Sequence, residues 1–357
     1  MSEDRLSARP VFLFSFAFFL GGIIFVDLPF VFLITTSVVS LLSLLSQIFL
    51  KIGKSVKKFL FPVLFGILLS LVIVLCTVNA EKRSAEATVG KSDICEIEIT
   101  TVVGTSPNFG SYYGRVISGN ASKGLRVALT AQDGSLKPGD IIKCPTTFEK
   151  PSEEEIQRLS AQKIFLSCTV SDITYVGNND SFSITRLFES INSRLSSRLK
   201  IYGGGALARA VLLGDKDELK LDVRRDFSRL GISHLLAVSG LHLSLIVMIC
   251  EKLMNKCGVS KKNCSIVKVP LIVFYMGVTG FSSSVLRAGV MHLIKTAGDF
   301  VDRRSDPLTS LGAAVTLITV FDPYAFYDIG LILSALSAYA CITFSFINKS
   351  RESSQGL

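Results

Sequence analysis

Apolar residues are gathered along this chain into runs separated by short polar segments. Residues 11–26, 30–50 and 59–78 form three runs near the start, and residues 235–250, 267–281, 285–298, 308–321 and 326–347 form five more towards the end. Runs of this length match membrane-spanning helices, with tilt or flanking adjustment where they are short. Two of the late runs are short and separated only by Ser282, Ser283 and Ser284. That is the pattern of a broken or re-entrant pair lining a cavity.

From about Ala80 to Asp180 the pattern changes. No run there is long enough to span, and short β-branched segments alternate with turn residues. Residues 94–104, 112–118, 124–131, 140–150 and 163–176 read as strands, with turns at 106–111, 118–124 and 132–140. Five short strands suit an OB-like barrel, although periodicity does not separate a barrel from a sandwich. Ile184, Leu187, Phe188, Ile191, Leu195 and Leu199 then recur at three and four, giving an amphipathic helix for the membrane interface or for packing on the β region. The fold class expected is a polytopic α-helical membrane protein with an inserted extracytoplasmic all-β (OB-like) domain. Its segments are three transmembrane helices over 1–79, the β domain over 80–183, amphipathic helices over 184–233, about five transmembrane helices over 234–348, and a polar tail over 349–357.

Composition supports the membrane class. A chain of 357 residues with mean hydropathy +0.49 carries more apolar surface than one soluble core buries. The net charge of +9 is compatible with nucleic acid, but its placement also follows membrane topology. Lys51, Lys54, Lys57 and Lys58 lie between the second and third runs, whereas Asp27 is the charge between the first and second. Lys252, Lys256, Lys261, Lys262 and Lys268 follow the fourth run, and Arg303 and Arg304 follow the sixth. Together they put both termini in the cytoplasm and the β domain outside. The first run leads into the second without a small-residue cleavage site, so it reads as a retained helix.

Candidate chemistry is sparse. Cys95, Cys144 and Cys168 fall on expected strands facing an oxidising compartment, which admits one disulfide among them with the pairing open. Phe109, Tyr112, Tyr113 and Arg115 either contact single-stranded nucleic acid or pack inward, the commoner fate of aromatics in β domains. Arg287 lies in an apolar run, where a guanidinium facing lipid costs about 3 kcal/mol on the mildest scale. It therefore faces protein, water or an anion, with Asp215 and Asp328 as the competing protein partners. His234, Ser239 and His242 flank Gly240, a potential helix breaker, and no local acid orients either imidazole. Two histidines and a serine do not complete a zinc site, so no metal or cofactor is expected. Arg224 and Arg225 either draw in phosphate or pair with Asp222 and Asp226 along a helix, and Arg229 lies at the end of the same basic, partly apolar segment.

Several of these residues fall in blocks that carry a resemblance. Gly214-Asp215-Lys216, the run from Arg224 to His242 that ends SHLLAVSGLH, TGFSSSVLRAG at 279–289, RRSDPLTSLG at 303–312 and DPYAFYDIGLILSALSA at 322–338 occur in that order. In sequence and spacing they resemble the ComEC competence family of bacterial DNA-uptake channels. The resemblance implies a plasma-membrane channel component that passes single-stranded DNA inward during natural transformation, and not an enzyme. Its path would use His234, Ser239, Gly240, His242 and Arg287, with Asp215, Arg224 and Arg229 at the mouth. Implied partners are single-stranded DNA, membrane lipid, a competence DNA receptor, a cytoplasmic DNA-translocating ATPase and a second copy as homodimer. The ATPase is required because the chain has no Walker A motif. Leu331 and Ile332 depart from the Phe-Gln pair usual in the family. The chain is expected to be a short form without the metallo-β-lactamase-like domain that many members carry. Two other classes compete: an intramembrane hydrolase using Ser239 with a histidine, and a small-molecule or ion transporter.

Overall fold

Contacts divide the chain into two units, one of residues 17–181 with 319–328, the other of residues 1–16, 182–318 and 329–357. The structure, a computed structural model, describes residues 9–26, 54–106, 109–119, 123–132, 134–170, 172–178, 184–201, 205–214, 219, 221–232, 238–301 and 306–355. The expected second membrane run, 30–50, lies outside the described residues.

In the first unit the residues of helix α1 (Pro10–Phe25) from Ala17 onward pack against α2 (Lys54–Ile73). Helix α2 passes through a π-helical turn (Val74–Val78) into α3 (Asn79–Glu86). Phe18, Leu71, Val74, Val78 and Phe326 form their common core. A Cβ at Gly22 would overlap the Phe326 ring, so that glycine admits the 3₁₀ turn Pro323–Tyr327. Asp322 caps the turn by accepting the Tyr324 N–H at 3.3 Å, and the Tyr324 hydroxyl donates to Glu81. Within the 322–338 block, PYAFY is therefore a buried plug.

The sheet of this unit has six strands, β1 (Ser92–Ser106), β2 (Phe109–Ser118), β3 (Arg126–Ala131), β4 (Asp140–Thr147), β5 (Ile164–Val170) and β6 (Thr174–Asn178). Their order is β5-β3-β2-β1-β4-β6, antiparallel except for the parallel pair β3 and β5. Two expectations need correction. The strand expected over 163–176 is two strands, because β5 joins β3 at one edge and β6 joins β4 at the other. The region is not all-β either: Ser152 precedes a short helix α4 (Glu153–Ser160) whose first turn holds three glutamates, a favourable match to the helix dipole. With Ile156 and Leu159 among its few apolar residues, α4 is too short for periodicity to reveal.

The second unit contains α5 (Ile184–Leu199), α6 (Gly205–Leu213), α7 (Leu221–Arg229), α8 (Gly240–Lys256), α9 (Lys261–Val278), α10 (Ser283–Phe300), α11 (Pro307–Phe321, as far as Ile318) and α12 (Ile329–Gln355). The pair expected to be short is a hairpin of two 18-residue helices, each about 27 Å long, because polar residues at their ends extend the helix beyond the apolar run. Gly280 and Phe281 turn the hairpin with φ of +66° and +52°, and a non-glycine residue holds that left-handed geometry only when its surroundings impose it. Leu243, Val247, Ile272, Met276, Val285 and Ala288 fill the space between α8, α9 and α10. At the other end of the three helices Lys268, with a side chain 4% exposed, reaches Glu251 and Asp299 at 3.6 Å each. Arg9 pairs with Asp306 at 2.9 Å, and Phe12 stacks on Tyr339 with centroids 6.0 Å apart.

Among the described residues two helices are long and apolar enough to cross a membrane, Leu60–Glu86 and Ile329–Asn348. Only 28% and 11% of their apolar windows are buried by protein, which leaves much of each helix to another apolar medium. Pro10–Phe25 and Pro307–Phe321 are apolar but shorter.

Candidate functional site

Ser239 has extended backbone (φ −119°, ψ 159°) and caps α8, so Gly240 begins that helix and does not break it. His242 sits at the third helical position. Its Nδ1 accepts the Ser239 N–H at 3.2 Å, and the Ser239 hydroxyl is 3.2 Å from the same nitrogen. This reciprocal arrangement satisfies a helix end. One lone pair shared between an amide and a hydroxyl leaves the imidazole poorly placed to take a proton from Ser239, and among the described residues no carboxylate orients the ring.

Gly240 also sets a close approach of helices. A Cβ there would lie 2.7 Å from Ala288 Cβ and 3.2 Å from the Ser284 carbonyl oxygen, so α8 starts against α10. The Gly240 N–H donates to Ser284 Oγ at 3.2 Å. Ser334 on α12 donates to the same oxygen at 3.2 Å, and Arg287 Nε donates to Ser334 at 2.9 Å. A polar chain thus joins α8, α10 and α12 in apolar surroundings. Arg287 Nη1 contacts Met291 Sδ at 3.3 Å, and among the described residues no carboxylate pairs with the guanidinium. Five N–H groups less the two engaged leaves three for another ligand. Of the two acids expected to compete for Arg287, Asp328 belongs to the other unit and Asp215 lies outside the described residues.

These helices enclose a cavity of about 420 Å³. Arg287, His292 and Lys295 line it from α10, Ser244 and Leu241 from α8, Ser337 and Cys341 from α12, and no carboxylate lines it among the described residues. Ser244 donates to the Gly240 carbonyl at 2.8 Å and lies 2.9 Å from His292 Nε2. With its single proton engaged, the hydroxyl accepts from a protonated Nε2, which holds the imidazole against the wall. The cavity is cationic, and its polar groups suit an anion with several acceptor oxygens.

Sequence reasoning found Arg287 but not His292, Lys295, Ser244, Ser284 or Ser334. The available signal was the recurrence of Ser284, Arg287, Met291 and Lys295 at three and four along one apolar run, with His292 beside Met291. His234 and Asp215 lie outside the described residues, and of Arg224 only its position on α7 is described. Arg229 pairs with Asp226 at 3.8 Å, both side chains well exposed, an ordinary surface pair.

The aromatic group in the β unit is split. Tyr112 is 1% exposed within the sheet core, and Tyr113 is 9% exposed against Leu159 and Ile164, with its hydroxyl accepting from Arg158 at 3.2 Å. Only Phe109 and Arg115 of the four are exposed, so the two tyrosines present no free ring face. Cys95, Cys144 and Cys168 are buried in one core and are not in a disulfide, with Cys95 directly opposite Cys144 in the β1–β4 register. Burial, and secondarily the neighbouring thiols, pushes Cys144 and Cys168 up to about 12.

A family model described as "Competence protein" matches residues 211–355, which contain every wall of the cationic cavity. The chain is 26% identical over 230 residues to ComE operon protein 3 of Bacillus subtilis, covering 62% of this chain and 30% of that protein. It is 25% identical over 189 residues to an uncharacterised protein of Mycoplasma pneumoniae, the MG316 homologue, covering 52% of this chain and 48% of that one. The chain therefore spans less than a third of one of these curated relatives and about half of the other. No solved structure matches it.

Proposed function

We propose that this chain is a ComEC-type competence protein, a reading supported by the match over residues 211–355 and by the similarity to ComE operon protein 3, and that it is a plasma-membrane channel component that admits one strand of DNA during natural transformation. The observation that carries the reading is the cationic cavity. Arg287, His292 and Lys295 line it with no described carboxylate, and Arg287 keeps three N–H groups for a ligand. From Arg287 to Lys295 is eight residues, about 12 Å along α10, against a rise of about 3.4 Å per nucleotide along the axis of a stacked strand. A moving strand can therefore exchange one phosphate for the next without leaving the charged wall. The apolar part of the lining, Leu241, Ala288 and Met291, offers bases a surface without sequence preference.

We extend the proposal to a multi-pass topology with cytoplasmic termini, supported by the lysine and arginine loops and by the two apolar helices. The β region over 80–183 is read as an OB-like extracytoplasmic domain. That reading is supported by β1 pairing with both β2 and β4, by the parallel β3–β5 pair, and by the bridge between Glu149 and Ser167 at 2.8 and 2.9 Å. The proposed partners are a DNA receptor outside, a DNA-translocating ATPase inside and a second copy of the chain. Ser239 and His242 form the helix cap that seats Gly240 on α10, and no hydrolytic step is assigned to them.

The test is entry of labelled DNA into a nuclease-protected state in the native bacterium. Deletion should abolish entry while surface binding persists, and the intact gene should restore it. Arg287→Ala and Lys295→Ala, at normal membrane level, should each restore about a tenth or less of that entry, since each removes a phosphate contact from a low-dielectric path. Undiminished entry in the deletion strain would end this reading.

A further inference from the structure

Besides α8, α10 and α12, the cavity of about 420 Å³ has a fourth wall, the start of α11, which contributes Pro307 and Ser310. Ser310 is 5% exposed, and among the described residues its hydroxyl has no hydrogen-bond partner. Native proteins keep few such groups, because an unpaired buried hydroxyl has lost its water and gained nothing in exchange. The rest of this helix start is already engaged. Pro307 has no N–H, and the Ser310 N–H donates to the Asp306 carbonyl at 2.9 Å. The Asp306 carboxylate accepts from the Thr309 N–H and hydroxyl at 2.9 and 2.8 Å and pairs with Arg9 at 2.9 Å. The Ser310 hydroxyl is therefore the donor that α11 presents to the cavity.

Ser15 on α1 provides the contrast. It is 2% exposed, and among the described residues its hydroxyl also lacks a partner, but it packs against Gly312 of α11 and does not line the cavity. A hydroxyl pressed against a helix is a packing cost, whereas one that opens into a cavity can be completed by a ligand. What completes Ser310 is an acceptor. Arg287 and Lys295 line the same cavity with no described carboxylate, so the ligand that fits is an anion and the acceptor it brings is an anionic oxygen. We infer that Ser310 is a neutral phosphate contact of the DNA path: its hydroxyl donates to a non-bridging phosphate oxygen of a strand held by Arg287 and Lys295 on the α10 side. The inference rests on the channel reading and adds to it a wall of different character. The cations gain affinity by releasing counterions, which salt opposes, whereas a neutral donor acts on one oxygen within about 3 Å and is indifferent to salt.

The test is binding of a fluorescent thymidine oligonucleotide to the full chain purified in neutral detergent, read by anisotropy across a salt series, with melting temperatures measured on the same samples. Ser310→Ala should weaken binding about fivefold at every salt concentration and leave the slope of log affinity against log salt unchanged, whereas Arg287→Ala should flatten that slope by about 0.7. Ser310→Ala should not lower the melting temperature, since it removes a group that nothing in the protein satisfies. Ser15→Ala should not lower it either, and should leave binding unchanged. Undiminished binding by Ser310→Ala would mean that water satisfies the hydroxyl, and it overturns the assignment. So does a melting temperature lowered by several degrees, which would give the hydroxyl a structural partner, and so does a salt slope altered by Ser310→Ala. Absence of binding by the unsubstituted chain would overturn the channel reading itself, and this inference with it.

Discussion

Cys144 and Cys168 show how far a buried environment changes one atom. Their thiols lie in the core of the sheet and are raised from an ordinary 9.0 to about 12, chiefly by desolvation. In the reduced protein both should resist alkylation at neutral pH until it is unfolded, whereas the exposed Cys257 should react at once. The linkage has a definite sign. Between pH 9 and 12 the unfolded chain releases these protons and the folded chain keeps them, so stability should fall as pH rises through that window. Chemical unfolding of the reduced protein across it measures the effect, and a flat profile would contradict the burial described. Oxidation would join Cys95 to Cys144, the directly opposed pair, and leave Cys168 as a thiol.

At the scale of elements, close approach of helices decides where polar groups can meet. Gly240 brings the first turn of α8 onto α10, which lets its N–H reach Ser284 and puts Ser284 within reach of Ser334 and, through it, Arg287. Gly240→Ala adds one methyl group against Ala288 at 2.7 Å. The helices must then separate or shift, at a cost of about 1–3 kcal/mol. We expect a lower melting temperature in detergent and impaired DNA entry from this substitution, whereas Leu241→Ala, at an exposed neighbour, should leave the melting temperature within about a degree or two. Equal effects of the two would remove the glycine from the argument.

For the whole molecule, topology is the property on which the channel reading depends. In a variant with the other seven cysteines replaced, Cys257 at the end of α8 should react with a membrane-impermeant maleimide only after permeabilisation, because the lysines beside it mark the cytoplasmic face. Lys91→Cys in the same background, an exposed position just before β1, should react in intact cells. Labelling of both from one side would invert or abolish the proposed topology.

The apolar helices, their interruption by a β-rich region, and the isolated cation at Arg287 were all readable in the chain, because each depends on composition over a window or on the cost of one charge in an apolar run. Local periodicity also marked α5 correctly as amphipathic, with Phe188 on its apolar face packed against Phe274 and Phe281. What depends on contacts distant in sequence was not readable. The parallel pairing of β3 with β5 split an expected strand, and the burial of Tyr112 and Tyr113 removed two expected ring faces. Ser239 proved to cap a helix that Gly240 begins. His292 acquires its place only because Ser244, 48 residues away, meets it across two helices packed through a glycine. Sequence alone thus determined which segments avoid water and which charges are costly, whereas tertiary structure decided which polar groups meet, since hydrogen bonds act over about 3 Å and chain distance carries no such information.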